Sequence, residues 1–152
     1  MNARPVGPIV VGYDDSAAAR AALRWAADHA TAVGGELLVV YVSSAIAELE
    51  FAVVQINTDA IRAGYEQHLQ GDWTALLRER NIRFRTLVVV GRVATELMRI
   101  AHAEQASLIV IGMTGRGTLG EIVFGSAEHE LLKHAVRPVV AVPATWQHNT
   151  TP

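Results

Sequence analysis

Short runs of consecutive apolar residues alternate along the chain with longer stretches in which apolar residues return every three or four positions. Five runs rich in β-branched residues predict strands: Pro8 to Tyr13, Glu36 to Val42, Phe84 to Val90, Ser107 to Gly112 and Pro138 to Val142. Segments such as LIVIG and PVVAV are apolar throughout, the pattern of a strand covered on both faces. Between them the periodicity predicts helices over Ser16 to Val33, about Asp59 to Glu79, Ala94 to Gln105 and about Ser126 to His134. Ser16 suits the N-cap of the first helix and Gly34 the position just past its end. Ala18, Ala22, Trp25 and Ala26 share one stripe of it, which predicts a core position for Trp25. Strands separated by helices read as βαβ units, and right-handed crossovers then give an open parallel sheet. Such sheets bind ligands beyond the carboxyl ends of their strands, so the strand-to-helix junctions carry the functional question.

Two stretches fall outside this alternation. Ser43 to Thr58 has no clear period and reads as a connection with some helix between Ala45 and Val53. After Pro143 the segment ATWQHNTTP is polar and rich in turn formers, so the chain divides into a domain over 1–143 and an expected disordered tail over 144–152. A chain of 152 residues buries roughly 70% of its unfolded surface and needs no covalent staple. The absence of cysteine removes disulfides, thiolate zinc sites and cysteine nucleophiles together, and suits a reducing compartment; the cytoplasm is expected. The first fifteen residues lack a signal-peptide core, and no run of eighteen apolar residues exists, so no membrane segment is expected. Net charge is −2, and Arg78, Arg80, Arg83, Arg85 and Arg92 are mixed with apolar residues, as on a solvated surface. No nucleic-acid partner is expected.

The junction after the fourth strand, VIGMTGRGTLGEIVFGSAEHELL, is the richest in chemistry. Gly112, Gly115, Gly117, Gly120 and Gly125 fall within fourteen residues of it. Glycines so placed let backbone N–H groups close on a polyphosphate with no Cβ in the way, and the helix opened by Gly125 and Ser126 adds its positive end. Ser126 can donate its hydroxyl to a phosphate or cap its own helix, and Arg116 can reach a phosphate or stay solvated. The loop has no G-K-[ST], so it is not a P-loop; GRGTLG matches G-x-G-x-x-G but follows the fourth strand instead of the first, which disfavours a nicotinamide enzyme. Asp14 and Asp15 after the first strand suggest a phosphorelay receiver, but the third strand ends in VVVGR without a phosphorylatable aspartate. Asp14 is therefore assigned to a ligand, through a ribose diol or Mg²⁺, and Asp15 to the charge complement of the helix N-terminus. His129 and His134 in HELLKH are five apart, about 140° around a helix, so they form no zincin pair. No G-x-S-x-G elbow occurs, and His29, His68, His102, His129 and His134 read as solvated helix residues.

The pattern G-x-x-G, nine residues, then G-[ST], matched by Gly112, Gly115, Gly125 and Ser126, resembles the universal stress protein family and its ATP-binding subgroup. VVGYDDSAAARAALRWA resembles that family's first strand and helix, and PVVAVP its last strand, so the likeness runs to about Pro143. It implies a single-domain α/β fold, adenine nucleotide alpha hydrolase-like, with a five-stranded parallel sheet of order 3-2-1-4-5 and helices on both faces. It implies that Asp14 meets the ribose and adenine region, that Val42 lies beside adenine, and that Gly112, Gly115, Gly125 and Ser126 hold phosphates. Gly12 stands where some members contact adenine through backbone, with Met113, Arg116 and Val123 as neighbours of the ligand. Tyr41 stands where many members have histidine. The resemblance also implies a homodimer through antiparallel pairing of the last strands, here Val136 to Val142. Three functions follow as expectations: ATP binding by a nucleotide-dependent stress-response regulator, slow Mg²⁺-dependent ATP hydrolysis through Asp14 and Arg116, or AMP or cyclic AMP binding in the same cleft. A phosphate loop without a complete catalytic set ranks binding first, and no residue is assigned as catalytic.

Overall fold

A computed structural model of the chain describes residues 6–44, 57–113 and 125–148. The elements are β1 (Ile9–Gly12), α1 (Ala17–Val33), β2 (Leu37–Ser43), α2 (Thr58–Gln70), a 3-10 turn (Asp72–Thr74), α3 (Ala75–Glu79), β3 (Phe84–Val90), α4 (Val93–Ala103), β4 (Leu108–Met113), α5 (Ser126–His134) and β5 (Val139–Pro143). The strands form one five-stranded sheet in the order β3-β2-β1-β4-β5. Every pairing is parallel, with Ile9 opposite both Leu37 and Leu108. The expected fold class is therefore the observed one.

Because strand residues alternate faces, one apolar run feeds two cores. Ile9, Val11, Leu37, Val39, Leu108 and Val110 pack with α1 and with Leu69 of α2 and Leu77 of α3. Val10, Leu38, Val40, Ile109 and Ile111 face the other way, onto Ala94, Leu97, Ile100 and Ala101 of α4 and Leu131 of α5. The α4 residues recur at helical spacing, which is why that face of the helix turns to the sheet.

Helix α1 starts and stops where the sequence marks it. The Ser16 hydroxyl accepts from the Ala19 N–H at 3.1 Å. Gly34 adopts φ 66°, a left-handed conformation available to a glycine at little cost, and donates its N–H to the Ala30 carbonyl. A serine N-cap contributes about 1 kcal/mol. The buried side of the helix is largely alanine, which lets its backbone come very close to β4. A Cβ built on Gly112 would lie 2.4 Å from the carbonyl carbon of Ala18.

Three segments depart from the sequence reading. The helix expected over about Asp59 to Glu79 is broken at Gly71 into α2, the 3-10 turn and α3. The carbonyls freed by that break are satisfied by side chains: the Thr74 hydroxyl donates to the Leu69 carbonyl, and the Arg78 guanidinium to the carbonyls of Gln70 and Gly71. The tail is the second departure. Residues 144–148, expected to be disordered, are placed, with Trp146 against the α1 side of the core, its backbone N–H donating to the Pro143 carbonyl at 2.9 Å, and His148 Nδ1 2.8 Å from Asp28 Oδ2. A large ring with apolar surface to bury outweighs the polar composition around it. Third, α4 runs from Val93 to Ala103 and ends before Gln105, which takes φ 51°. The connection over 45–56 and residues 149–152 lie outside the described residues.

The arginine-rich stretch is a set of surface pairs: Arg80 with Asp28 at 2.8 Å, Arg85 with Glu36 at 3.0 Å and Glu104 at 2.8 Å, and Arg92 with Glu130 at 3.0 Å. Exposed pairs of this kind are worth little individually. Among the described residues no helix is long and apolar enough to cross a membrane.

Candidate functional site

The strand order reverses between β1 and β4, and the ends of those two strands open a cleft beneath α4 and α5. Gly12, Asp14, Val42 and Gly112 line it, as do Val40, Val93, Leu97 and Ile111 from the α4 side. Ala127 and Glu128 close it from the first turn of α5. This is the crevice where a doubly wound sheet places its ligand. The described walls enclose about 150 Å³.

Each wall has a local cause. β1 ends at Gly12, whose missing side chain leaves room beside Leu97; a Cβ there would sit 2.9 Å from Leu97 Cδ1. The chain then turns sharply. Asp14 Oδ1 accepts the Ser16 N–H at 3.0 Å, and Asp15 takes φ 63°, a left-handed conformation that aspartate tolerates better than most side chains. This turn leaves Asp14 exposed at the cleft rim, with its second carboxylate oxygen directed to no hydrogen bond within the described protein.

The neighbouring carboxylate, immediately before the Ser16 cap, has side-chain partners besides the helix N-terminus it was expected to complement: Asp15 pairs with Arg20 at 2.9 Å and accepts the Tyr13 hydroxyl at 3.2 Å. Burial first, and then the Asp15 carboxylate, push the Tyr13 phenol well above its usual range.

At the far side of the cleft Gly125 occupies the cap position of α5, with φ −64° and ψ 168°, and no side chain caps the helix. Ser126 is therefore the first helical residue and exposed, not the cap, and its hydroxyl remains available. Gly125 and Ser126 stand immediately before the cleft-lining pair Ala127 and Glu128. Met113 ends β4 and does not line the cleft. Gly115, Arg116, Gly117, Gly120 and Val123 lie outside the described residues.

Tyr41 turns away from the site. It stacks on Tyr65 with ring centroids 4.1 Å apart and tilts against Trp73 at 5.7 Å, on the α1 side of the sheet. Its neighbours in the strand, Val40 and Val42, take the cleft side instead. The tyrosine in place of histidine therefore leaves the cleft walls unchanged.

Glu128 is the residue that sequence reasoning passed over. It is 4% exposed although charged, and it lies three residues past the Gly125 cap, in the first turn of α5. That offset from the glycine-serine pair was the available signal, since an acid in the first turn is favoured by the helix dipole. Among the described lining residues there is no histidine, lysine or arginine. No group of three or more possible metal ligands occurs among the described residues. Apolar walls suited to a flat ring, acceptors suited to hydroxyl or amino donors, and open N–H groups at a helix start are a binding arrangement.

Comparison with known proteins agrees with this geometry. The family model for the universal stress protein family matches residues 5–143. A curated universal stress protein of Mycolicibacterium smegmatis is 29% identical over 140 residues, with 88% of this chain aligned to 47% of that protein. Another, from Thermus aquaticus, is 28% identical over 134 residues, covering 88% of this chain and 96% of the relative. The chain thus spans about half of one relative and nearly all of the other. A solved universal stress protein structure from Archaeoglobus fulgidus superposes with a TM-score of 0.71 at 24% identity, covering 90% of this chain and 98% of that one. A structure of the Archaeoglobus fulgidus protein in complex with dAMP gives 0.66 at 22% identity, covering 91% and 99%. A universal stress protein in complex with cAMP gives 0.61 at 20% identity, covering 93% and 100%. By the family model, across nearly its whole length, this chain belongs to the universal stress protein family.

Proposed function

We propose that this protein binds an adenine nucleotide, ATP in the first instance, in the cleft between β1, β4 and α5, and that occupancy regulates its partner choice in the cytoplasm. The observation that carries the reading is the convergence of Gly12, Asp14, Val42 and Gly112 on one crevice that ends at the open N-terminus of α5. In this reading adenine lies against Val40 and Val42, and Asp14 accepts from the ribose diol. The phosphates run toward Gly125 and Ser126, where uncapped N–H groups and the helix dipole favour anions. Gly115 and Arg116 complete the phosphate contacts, and Mg²⁺ accompanies the ligand.

The solved complexes with dAMP and cAMP support the coarser part of this reading, an adenine nucleotide, and favour a second one: AMP or cyclic AMP in the same cleft. A homodimer through β5 belongs to the proposal as well. β5 pairs only with β4 among the described strands, and an apolar edge strand invites a second copy.

Calorimetric titration of the purified protein with ATP, AMP and cyclic AMP tests the ligand. Binding of ATP that weakens about tenfold in Asp14→Ala, the loss of one charge-assisted hydrogen bond or slightly more, is the expected result. Equal affinity in the variant would remove Asp14 from the site, and tighter binding of cyclic AMP would establish the second reading.

A further inference from the structure

A second cavity, of about 370 Å³, lies at the amino ends of the strands, on the same face of the sheet as the cleft but at the other end of α4. Arg99 and His102 line it from the last two turns of α4, His134 from the end of α5, and Arg137 from the turn into β5. Met98, Ile109 and Val136 supply apolar surface, and the described lining holds no acidic residue, in a chain whose net charge is −2. All seven lining residues lie inside described stretches of the chain, away from their ends. Arg137 precedes Pro138, a position biased to extended backbone, and the Pro138 carbonyl accepts the Ile109 N–H at 2.9 Å, so the arginine is held where β5 joins β4. Its Nε–H is buried with no hydrogen-bond partner among the described residues, and a guanidinium donor taken out of water is costly unless an acceptor meets it. The histidines alone have a simpler explanation, since each stands in the last turn of its helix, where a cation offsets the exposed carbonyls. That explanation does not reach Arg137, which lies beyond α5, or the meeting of all four groups on one cavity. Arg99 donates through Nε and Nη2 to Glu96 Oε2, at 2.9 and 2.7 Å, a pair that anchors its head group and offsets part of its charge.

We propose that this cavity is a second ligand site, for a small organic phosphate monoester. Donors arriving from three segments match the three oxygens of a terminal phosphate better than the two of a carboxylate, and the arginine fork suits bidentate pairing with them. Met98, Ile109 and Val136 then take the carbon part of the ligand. The volume lies within the range of about 300–1,000 Å³ typical of small-molecule sites, more than bare phosphate fills. The site is independent of the nucleotide reading, whose cleft opens at the carboxyl ends of the strands.

The experiment titrates the isotope-labelled full chain with phenyl phosphate, inorganic phosphate and benzoate and follows the backbone amides by NMR. Phenyl phosphate should give saturable shifts at Arg99, His102, His134 and Arg137 and leave Gly12 and Gly112 unmoved, with the other two anions binding several fold more weakly. Arg137→Gln should weaken phenyl phosphate about tenfold, the loss of one charge-assisted hydrogen bond, and Arg137→Lys, which keeps the charge but not the fork, by less. Val136→Ser should narrow the preference for phenyl phosphate over inorganic phosphate without changing the affinity for the latter. Absence of saturable shifts in wild type at millimolar phenyl phosphate overturns the proposal, as do shifts centred on Gly12 and Gly112. Benzoate binding as tightly as phenyl phosphate overturns the phosphate assignment, and wild-type affinity in Arg137→Gln removes the arginine on which it rests. Should that variant not fold, the wild-type shifts still decide. If wild type binds none of the three anions and sedimentation shows that Arg137→Gln dissociates an oligomer, the occupant is a carboxylate of a second copy and the ligand site is refuted.

Discussion

The two faces of the sheet are built from alternate residues of the same strands, yet they are filled in opposite ways. The α1 side gathers the rings: Tyr13, Tyr41, Tyr65, Trp73, Phe84 and Trp146 all pack on that core, and Tyr13, Tyr41 and Tyr65 each contact Trp73. Among the described residues the α4 side has no aromatic residue in its cluster and is made of aliphatic residues, alanine and Met98. Large rings fill space, whereas short side chains around Gly12 and Gly112 leave the strand ends open. The difference teaches that the cleft is a consequence of where bulk was withheld, and that stability and binding are divided between the faces.

The sharpest way to break this comparison is to make one equivalent cut on each face. Leu77 and Leu97 are both fully buried, the first among the rings and the second in the cleft wall. Leu77→Ala and Leu97→Ala should each cost about 2–5 kcal/mol in denaturant unfolding. Only Leu97→Ala should also alter nucleotide affinity; a matching change in Leu77→Ala would show that the faces are not independent.

Next in size comes Gly112→Ala, whose new methyl would meet the Ala18 main chain at 2.4 Å. An overpacked contact of this kind costs about 1–3 kcal/mol. Gly12→Ala meets the ends of the Leu97 and Ile111 side chains instead of main chain and should cost less. Equal melting temperatures for Gly112→Ala and wild type would refute the close approach.

The ring-filled face also has a signature in alkali. Burial, followed by the Asp15 charge for Tyr13 and the Tyr65 hydrogen bond for Tyr41, raises both phenols well above their usual range. A phenol that holds its proton more tightly folded than unfolded leaves stability intact below its ordinary value of about 10. Above that pH stability falls, because the unfolded chain releases protons that the folded one retains. Ultraviolet titration should therefore show Tyr13 and Tyr41 still protonated at pH about 11, where free phenols are ionised. Full ionisation of all the tyrosines at that pH without unfolding would contradict their burial. The smallest effect is expected at the tail: His148→Ala removes an exposed pair with Asp28 and should cost under about 1 kcal/mol. A loss beyond about 2 kcal/mol would show that the tail is integral to the domain.

The fold was largely legible in the sequence because its signals are local. Apolar runs marked all five strands, Ser16 and Gly34 marked the ends of α1, and the parallel sheet followed from the alternation. The site was legible in part: Gly12, Asp14, Val42 and Gly112 do converge. What escaped depends on distances across crossovers. The tight fit of Gly112 to Ala18, the pairing of Asp15 with Arg20 and the docking of Trp146 have no periodicity to reveal them. Glu128 escaped because a polar residue in an amphipathic stretch reads as solvated until the neighbouring strand ends are known.

The meeting of Gly112 with Ala18 reaches beyond packing. Contacts between side chains yield through rotamer changes, but this one is between a strand backbone and a helix backbone, with nothing soft between them. The carboxyl end of β4 and the amino-terminal turn of α1 are therefore coupled through main chain. A ligand that displaces that strand end should tilt the helix, whose seventeen residues span about 25 Å at 1.5 Å per residue. The resulting swing should be largest at Val33, where the helix ends at the amino ends of the strands.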